Sequence, residues 1–145
     1  MASISGRTLL APGCGAACAQ ALGCGPGGNG SGSLSPQIAA GAASSFAIGS
    51  LTPIAGEGVA VGHDSGGLYA LSLICTHQGC DLSVDGDVSA SGIQCFCHGA
   101  QFDAHGNVFG GPARSKLVHF ALTKDAGAQL TVHTGSQVAE SVRLS

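Results

Sequence analysis

The sequence predicts an all-β fold, and two observations predict it. From residue 45 onward the chain is written in short runs that alternate apolar and polar residues, and those runs are separated by clusters of Gly, Asp, Asn and Ser. Strands are expected at 45–48, 58–62, 68–74, 93–95, 101–104, 117–122 and 129–133. Between them, Asp64-Ser65-Gly66-Gly67, Asp85-Gly86-Asp87 and His105-Gly106-Asn107 each suit a tight hairpin, because Gly and Asn accept positive φ.

The bulk numbers bound the architecture. At 145 residues the chain is long enough for one domain with a modest core. It contains 25 glycines, 4% aromatic residues and no tryptophan, so its core must be built from small aliphatic side chains and needs an additional staple. Charged residues make up 9% of the chain and the net charge is -3. No Lys or Arg occurs between Arg7 and Arg114, which argues against nucleic acid as a partner. Over the same stretch Glu57, Asp64, Asp81, Asp85, Asp87 and Asp103 give a one-sided acidic field. Either these are solvated turns or they steer a basic redox partner toward the region.

Residues 1–43 are dominated by Gly, Ala, Ser and Cys, with Pro12, Pro26 and Pro36, and read as a flexible linker with no packed core. The apolar stretch 8–22 is broken by proline and glycine and falls short of a membrane span. Its pattern is that of an export signal, and a small residue before Cys18 or Cys24 matches a lipoprotein cleavage site, although Gly6-Arg7 stands where a twin arginine is usual. The expected organisation is therefore a signal or linker over 1–43, one domain over 44–135 and a tail over 136–145.

Seven cysteines fall into two groups: Cys14, Cys18 and Cys24 near the start, and Cys75, Cys80, Cys95 and Cys97 in the middle. The second group belongs to two loops, Cys75-Thr76-His77-Gln78-Gly79-Cys80 and Cys95-Phe96-Cys97-His98-Gly99-Ala100. Each loop carries thiol and imidazole donors beside a glycine. Gly79 and Gly99 let the backbone bend close to a bulky inorganic centre. Two Cys and two His also satisfy tetrahedral zinc, but zinc modules pair two cysteines in one knuckle and two histidines in the next, whereas each loop here mixes the two types. A catalytic Cys–His pair lacks a positioned third group. His63, His105, His119 and His133 lie outside both loops and read as strand or turn residues.

The pattern Cys-x-His-x-Gly-Cys followed by Cys-x-Cys-His-Gly resembles the Rieske iron–sulfur proteins, specifically their disulfide-bearing cytochrome bc-type branch. The resemblance covers about residues 45–134. It implies an antiparallel β-sandwich with a small inserted cluster-binding subdomain over about 73–112. It further implies a 2Fe-2S cluster with Cys75 and Cys95 on the inner iron and His77 and His98 on the outer, and a disulfide between Cys80 and Cys97 that favours an oxidising compartment. Two thiolates rather than four leave the oxidised cluster neutral instead of doubly negative, so an added electron is easier to accept.

The second loop departs from the bc-type pattern. That pattern continues His-Gly-Ser-x-Tyr, with both hydroxyls hydrogen-bonded to cluster sulfurs. Ala100 and Phe102 stand at those two places, which implies a potential toward the lower or middle part of the family's range. Gly110-Gly111-Pro112-Ala113 resembles the proline segment that covers the cluster's third side.

The function these features imply is one-electron transfer outside the cytoplasm, by a soluble or lipid-tethered carrier in the periplasm or at a bacterial membrane. A close second is the Rieske subunit of a quinol-oxidising cytochrome bc-type complex, in which an exposed histidine accepts a quinol hydrogen bond. The ferredoxin of a Rieske oxygenase is a third reading, disfavoured by Cys80 and Cys97. The implied partners are a cytochrome c-like protein or a cytochrome b-type complex, with quinol in the second reading.

Overall fold

The computed structural model describes residues 35–145, so Cys14, Cys18, Cys24 and the export-signal reading lie outside the described residues. Ten strands are present among the described residues: β1 (Ile38–Ala42), β2 (Ser50–Ile54), β3 (Val59–Asp64), β4 (Gly67–Ser72), β5 (Gly86–Ser89), β6 (Gly92–Cys95), β7 (Gln101–Phe102), β8 (Val108–Gly110), β9 (His119–Lys124) and β10 (Gln129–Val138). Among the described residues the only helical element is one 3-10 turn, Ala43–Ser45. Every strand pairing is antiparallel. A six-stranded sheet runs β1-β10-β9-β4-β3-β2, and a four-stranded sheet β5-β6-β7-β8 is inserted between β4 and β9. The all-β sandwich with an inserted lobe is thus the observed architecture.

The central strands β3 and β4 are buried on both faces. Val59, Val61, Leu68 and Ala70 point to one core with Ile38, Phe46, Phe120, Leu130 and Val132. Ala60, Tyr69 and Leu71 alternate to the opposite face and join a second core with Leu73, Leu82, Ile93, Phe102 and Leu117. A period of two, read on a strand with no exposed face, gives the near-continuous apolar run that this stretch shows. The second core also contains Cys75 and Cys95, so the large sheet and the inserted lobe share one apolar interior.

Several expected elements shift. Residues 45–48 do not form a strand, because the chain turns there and Phe46 drops into the core while its carbonyl accepts a bond from His63 Nδ1 (2.7 Å). Residues Ile38–Ala42, expected as linker, form β1 against β10, with Ile38 buried and a bulge between Ala39 and Gly41. Asp85-Gly86-Asp87 is not the hairpin turn. Gly86 already pairs with Cys95, and the turn falls at Ala90-Ser91, stapled by a bond between the Ser89 and Ser91 hydroxyls (2.8 Å). Gly86 serves close approach instead, since a Cβ there would lie 2.5 Å from the Gln94 carbonyl oxygen. The turn at Ser65-Gly66 stands as expected, with the Gly66 N–H donating to Asp64 Oδ1 (2.8 Å). So does the turn at His105-Gly106-Asn107, where Asp103 Oδ1 accepts from the N–H groups of His105 and Asn107. The strands β2, β5 and β8 were not expected. Pro53 in β2 is tolerated because β2 is the sheet's edge.

Tyr69 braces the lobe to the sheet. Its ring crosses Gly62, its partner on β3, and its hydroxyl donates to the Ala104 carbonyl (2.9 Å). Arg143 lies 4.5 Å over the ring and ion-pairs with Asp64 (2.7 Å), which also contacts His105 Nε2 (3.2 Å). Leu144 exchanges two backbone bonds with Leu68, so the C-terminal segment is strapped to β4.

A methyl group at Gly62 would lie 2.1 Å from Tyr69 Cζ, whereas one at Gly135 meets nothing within 4 Å. Gly62→Ala should therefore cost about 1–3 kcal/mol of stability and Gly135→Ala less than about 0.5, read from denaturation midpoints of the two variants. The hydrogen bond from Arg143 holds the Asp64 carboxyl well below the usual carboxylate range. A carboxyl depressed in the folded state stabilises the protein above its ordinary pKa, and that contribution is lost as pH falls toward the folded-state value. Asp64→Asn should accordingly be less stable than the parent at neutral pH, with the gap closing progressively below about pH 4. A pH series of unfolding midpoints reads both limbs.

Candidate metal centre

Two loops at one end of the inserted lobe are folded almost alike. In the first, the Cys75 N–H donates to the Cys80 carbonyl (2.8 Å) and the Gly79 N–H to the Cys75 carbonyl (2.8 Å). In the second, the Cys95 N–H donates to the Ala100 carbonyl (2.8 Å) and the Gly99 N–H to the Cys95 carbonyl (3.0 Å). Each is a six-residue loop closed by its own end residues, and in each the fifth position is a glycine in the left-handed region, with φ of 77° and 78°. A side chain at either glycine would strain the turn that aims the preceding donors. The loops differ in where histidine falls: third in the first loop, fourth in the second.

The two loops face each other and are bonded together. Cys80 and Cys97 form a disulfide with their Cα atoms 6.8 Å apart, as the resemblance implied. Cys75 and Cys95 remain free thiols, 3% and 0% exposed. The Cys95 sulfur lies within 4.8 Å of both disulfide sulfurs. The His77 and His98 rings meet edge to face with centroids 4.9 Å apart. Burial pushes the Cys75 thiol above its ordinary value, and hydrogen-bond contact with the Cys95 thiol adds to the rise. The N–H groups of His77 and Gln78, aimed at the Cys75 sulfur, oppose it.

A third wall closes the site. A Cβ at Gly111 would lie 2.2 Å from the Gly99 carbonyl oxygen, so the segment before Pro112 rests directly on the second loop. Thr76 Oγ1 donates to the Ser115 carbonyl (2.6 Å) and clasps the first loop to the residues that follow Pro112. Thr76, His77, Pro112, Arg114 and Ser115 line a cavity of about 350 Å³. Ala100 and Phe102 are buried behind the second loop and place no hydroxyl there.

The donor set fits a 2Fe-2S cluster on its own terms. Two adjacent thiols are buried where charge is costly, backbone N–H groups already converge on one sulfur, and His77 Nδ1 is buried with no hydrogen-bond partner among the described residues. A buried imidazole nitrogen without a partner carries a desolvation cost that a metal bond removes. A multivalent cation between the sulfurs likewise removes the cost of ionising them.

Sequence reasoning did not assign Thr76 or Arg114. Thr76 occupies a position that the motif Cys-x-His-x-Gly-Cys leaves unspecified. Arg114 was visible only as the first basic residue after Arg7, with no indication that the chain returns it to the first loop. The four histidines outside the loops are held in the framework: His63 on Phe46, His105 on Asp64, His119 on the His105 carbonyl (2.7 Å) and His133 on Thr123 (2.8 Å).

Comparison with known proteins agrees with this geometry. The Rieske [2Fe-2S] domain matches residues 38–121. The chain is 46% identical over 56 residues to the cytochrome b6-f complex iron-sulfur subunit of Synechococcus sp. (strain RCC307), an alignment covering 39% of this chain and 30% of that one. It is 36% identical over 78 residues to the cytochrome b6-f complex iron-sulfur subunit 2 of Synechocystis sp., covering 52% of this chain and 42% of the relative. The chain thus spans less than half the length of these relatives. Among solved structures it is similar to a chain in the complex of reduced oxygenase and oxidized ferredoxin in carbazole 1,9a-dioxygenase, with 25% identity, a TM-score of 0.50, and coverage of 72% of this chain and 97% of that one. With both Cys/His loops, the disulfide between them and the matched domain on the same residues, this chain belongs to the Rieske [2Fe-2S] family.

Proposed function

We propose that Cys75 and Cys95 hold the inner iron and His77 and His98 the outer iron of the cluster, and that the chain works as a one-electron carrier. The observation that carries this reading is the pair of near-identical loops presenting two free buried thiols and two touching imidazoles across one disulfide. Bound in such a set, a 2Fe-2S cluster gains and loses one electron in a window of about -150 to +300 mV.

The protein's own residues set the conditions for that exchange. The N–H groups of His77 and Gln78 favour negative charge on the Cys75 sulfur. The disulfide fixes the spacing of the loops, and Gly111 and Pro112 keep bulk water from one side. His98 is exposed and offers its ring to whatever docks, while His77 Nδ1 is turned inward.

A second reading, the iron–sulfur subunit of a quinol-oxidising cytochrome complex, is favoured by the relatives, which are cytochrome b6-f subunits. Exposed His98 would then meet quinol. The disulfide supports an oxidising compartment for either reading, hence the periplasm or an outer membrane face. No helix among the described residues is long and apolar enough to cross a membrane. A lipid anchor or a partner complex would supply membrane attachment.

Protein assembled with iron and sulfide should contain two irons per chain and, once reduced, give the rhombic, low-average-g EPR signal of mixed Cys and His ligation. His77→Ser and His98→Ser should each abolish that signal. A preparation with one zinc and no iron would overturn the ligand assignment.

Ala100→Ser and Phe102→Tyr should each raise the midpoint potential. A hydroxyl bonded to sulfur stabilises the extra electron, and about 1 kcal/mol of differential stabilisation is roughly 40 mV for one electron. EPR-monitored potentiometry reads the shift. An unchanged potential with the signal intact would mean that these side chains do not face the sulfurs.

A further inference from the structure

The acidic field of the sequence is not spread evenly over the surface. Asp64 is bound to Arg143, Asp103 to Asn107, and Glu140 to Asn107 and Lys116. Asp81 is taken up by Ser83. Asp85 and Asp87 make no side-chain bond among the described residues, and both are exposed. They stand at the start of β5, an edge strand of the small sheet. Lys116, Lys124 and Arg143 are committed to Glu140, the Ser145 carbonyl and Asp64, and Arg114 lines the cavity beside His77.

The same place carries exposed apolar bulk. Phe96 is 64% and Val84 74% exposed. They adjoin through the backbone, since Val84 leads into Asp85, whose carbonyl accepts the Phe96 N–H (2.8 Å). Asp87 pairs across the ladder with exposed Gln94, and Phe96, exposed as well, lies in the turn just past β6, while Ile93 and Cys95 of β6 are buried. A large aromatic side chain left in water, flanked by two unpaired carboxylates, has the make-up of a docking centre with a steering rim. It also sits between Cys95 and Cys97, so a partner seated there would stand one residue from a ligand sulfur.

We propose that the exposed surface at the start of β5 and the end of β6, with Phe96 and Val84 at its centre and Asp85 and Asp87 at its rim, docks a redox protein whose own contact surface is an apolar patch ringed by lysines. The charge of the face selects that partner chemistry: unpaired carboxylates attract a cationic rim, raise the encounter rate at low salt, and repel an acidic protein. This face is separate from the cavity that His77 shares with Arg114, where an anionic group would be favoured. The inference rests on Cys75, His77, Cys95 and His98 holding the cluster.

The test is stopped-flow electron transfer between the reduced holoprotein and two probes, a basic and an acidic c-type cytochrome, across a range of ionic strength. Asp85→Asn with Asp87→Asn should slow the reaction with the basic probe roughly three- to tenfold at low salt and flatten its salt dependence. Val84→Ser should slow it at all salt concentrations, and Lys124→Gln, on β9 of the large sheet, should leave it unchanged. The midpoint potential and EPR signal should be the same in the Asp85, Asp87, Val84 and Lys124 variants, which separates docking from tuning of the cluster. Rates that ignore the aspartates and Val84, or that respond to Arg114→Gln alone, would overturn the proposal and place docking at the histidine end. An absent cluster signal in the parent protein would instead fail the ligand assignment. Calorimetric titration with the oxidised basic probe reads the face without the cluster: salt-sensitive binding weakened by the aspartate variants upholds the proposal, and binding indifferent to them overturns it.

Discussion

Two thiols, buried side by side, govern the rest of this structure. Ionising either one in an apolar interior is costly, and ionising both without a cation is more so. The chain therefore has to bring them together without relying on their attraction. It does so through the disulfide, through two loops each closed on its own backbone, and through a core that continues from the large sheet into the small one. The N–H groups aimed at the Cys75 sulfur compensate part of the cost in advance, and iron bound there would supply the remainder.

The site was more legible than the fold. Its chemistry is written in contiguous residues, so Cys75, His77, Cys95 and His98 stand out by type and spacing, and the Cys80–Cys97 bond follows from resemblance alone. The β3–β4 hairpin was equally plain, because its two apolar runs and the Gly turn between them agree. Two of the misreadings fall on small residues, which carry little pattern. Ile38–Ala42 is one isoleucine among Ala and Gly, and only its pairing with β10 makes it a strand. Gly86 looked like a turn because glycine serves positive φ and close approach alike, and sequence does not distinguish them. Arg114 and Thr76 entered the site through tertiary packing that no local motif encodes.

The low aromatic content concentrates importance in a few rings. Tyr69 spans the junction of the two lobes, and Gly62 opposite it is the space that the ring requires. Arg143, Asp64 and His105 pack around that ring as a polar collar. Through Arg143 and Leu144 the C-terminal segment becomes part of the framework that supports the lobe.

The insertion leaves the large sheet from β4 and returns through β9, which is the neighbouring strand. Its base is thus as narrow as one strand spacing, yet it is cross-braced by the Tyr69 hydroxyl at Ala104 and by the Leu117 N–H at the Gly106 carbonyl (2.8 Å). A frame held at so many points has little freedom to follow a charge that arrives and leaves. The nuclear rearrangement accompanying each electron should be small, with polarity already in place before the electron arrives, and the reluctance of this fold to relax becomes a kinetic asset.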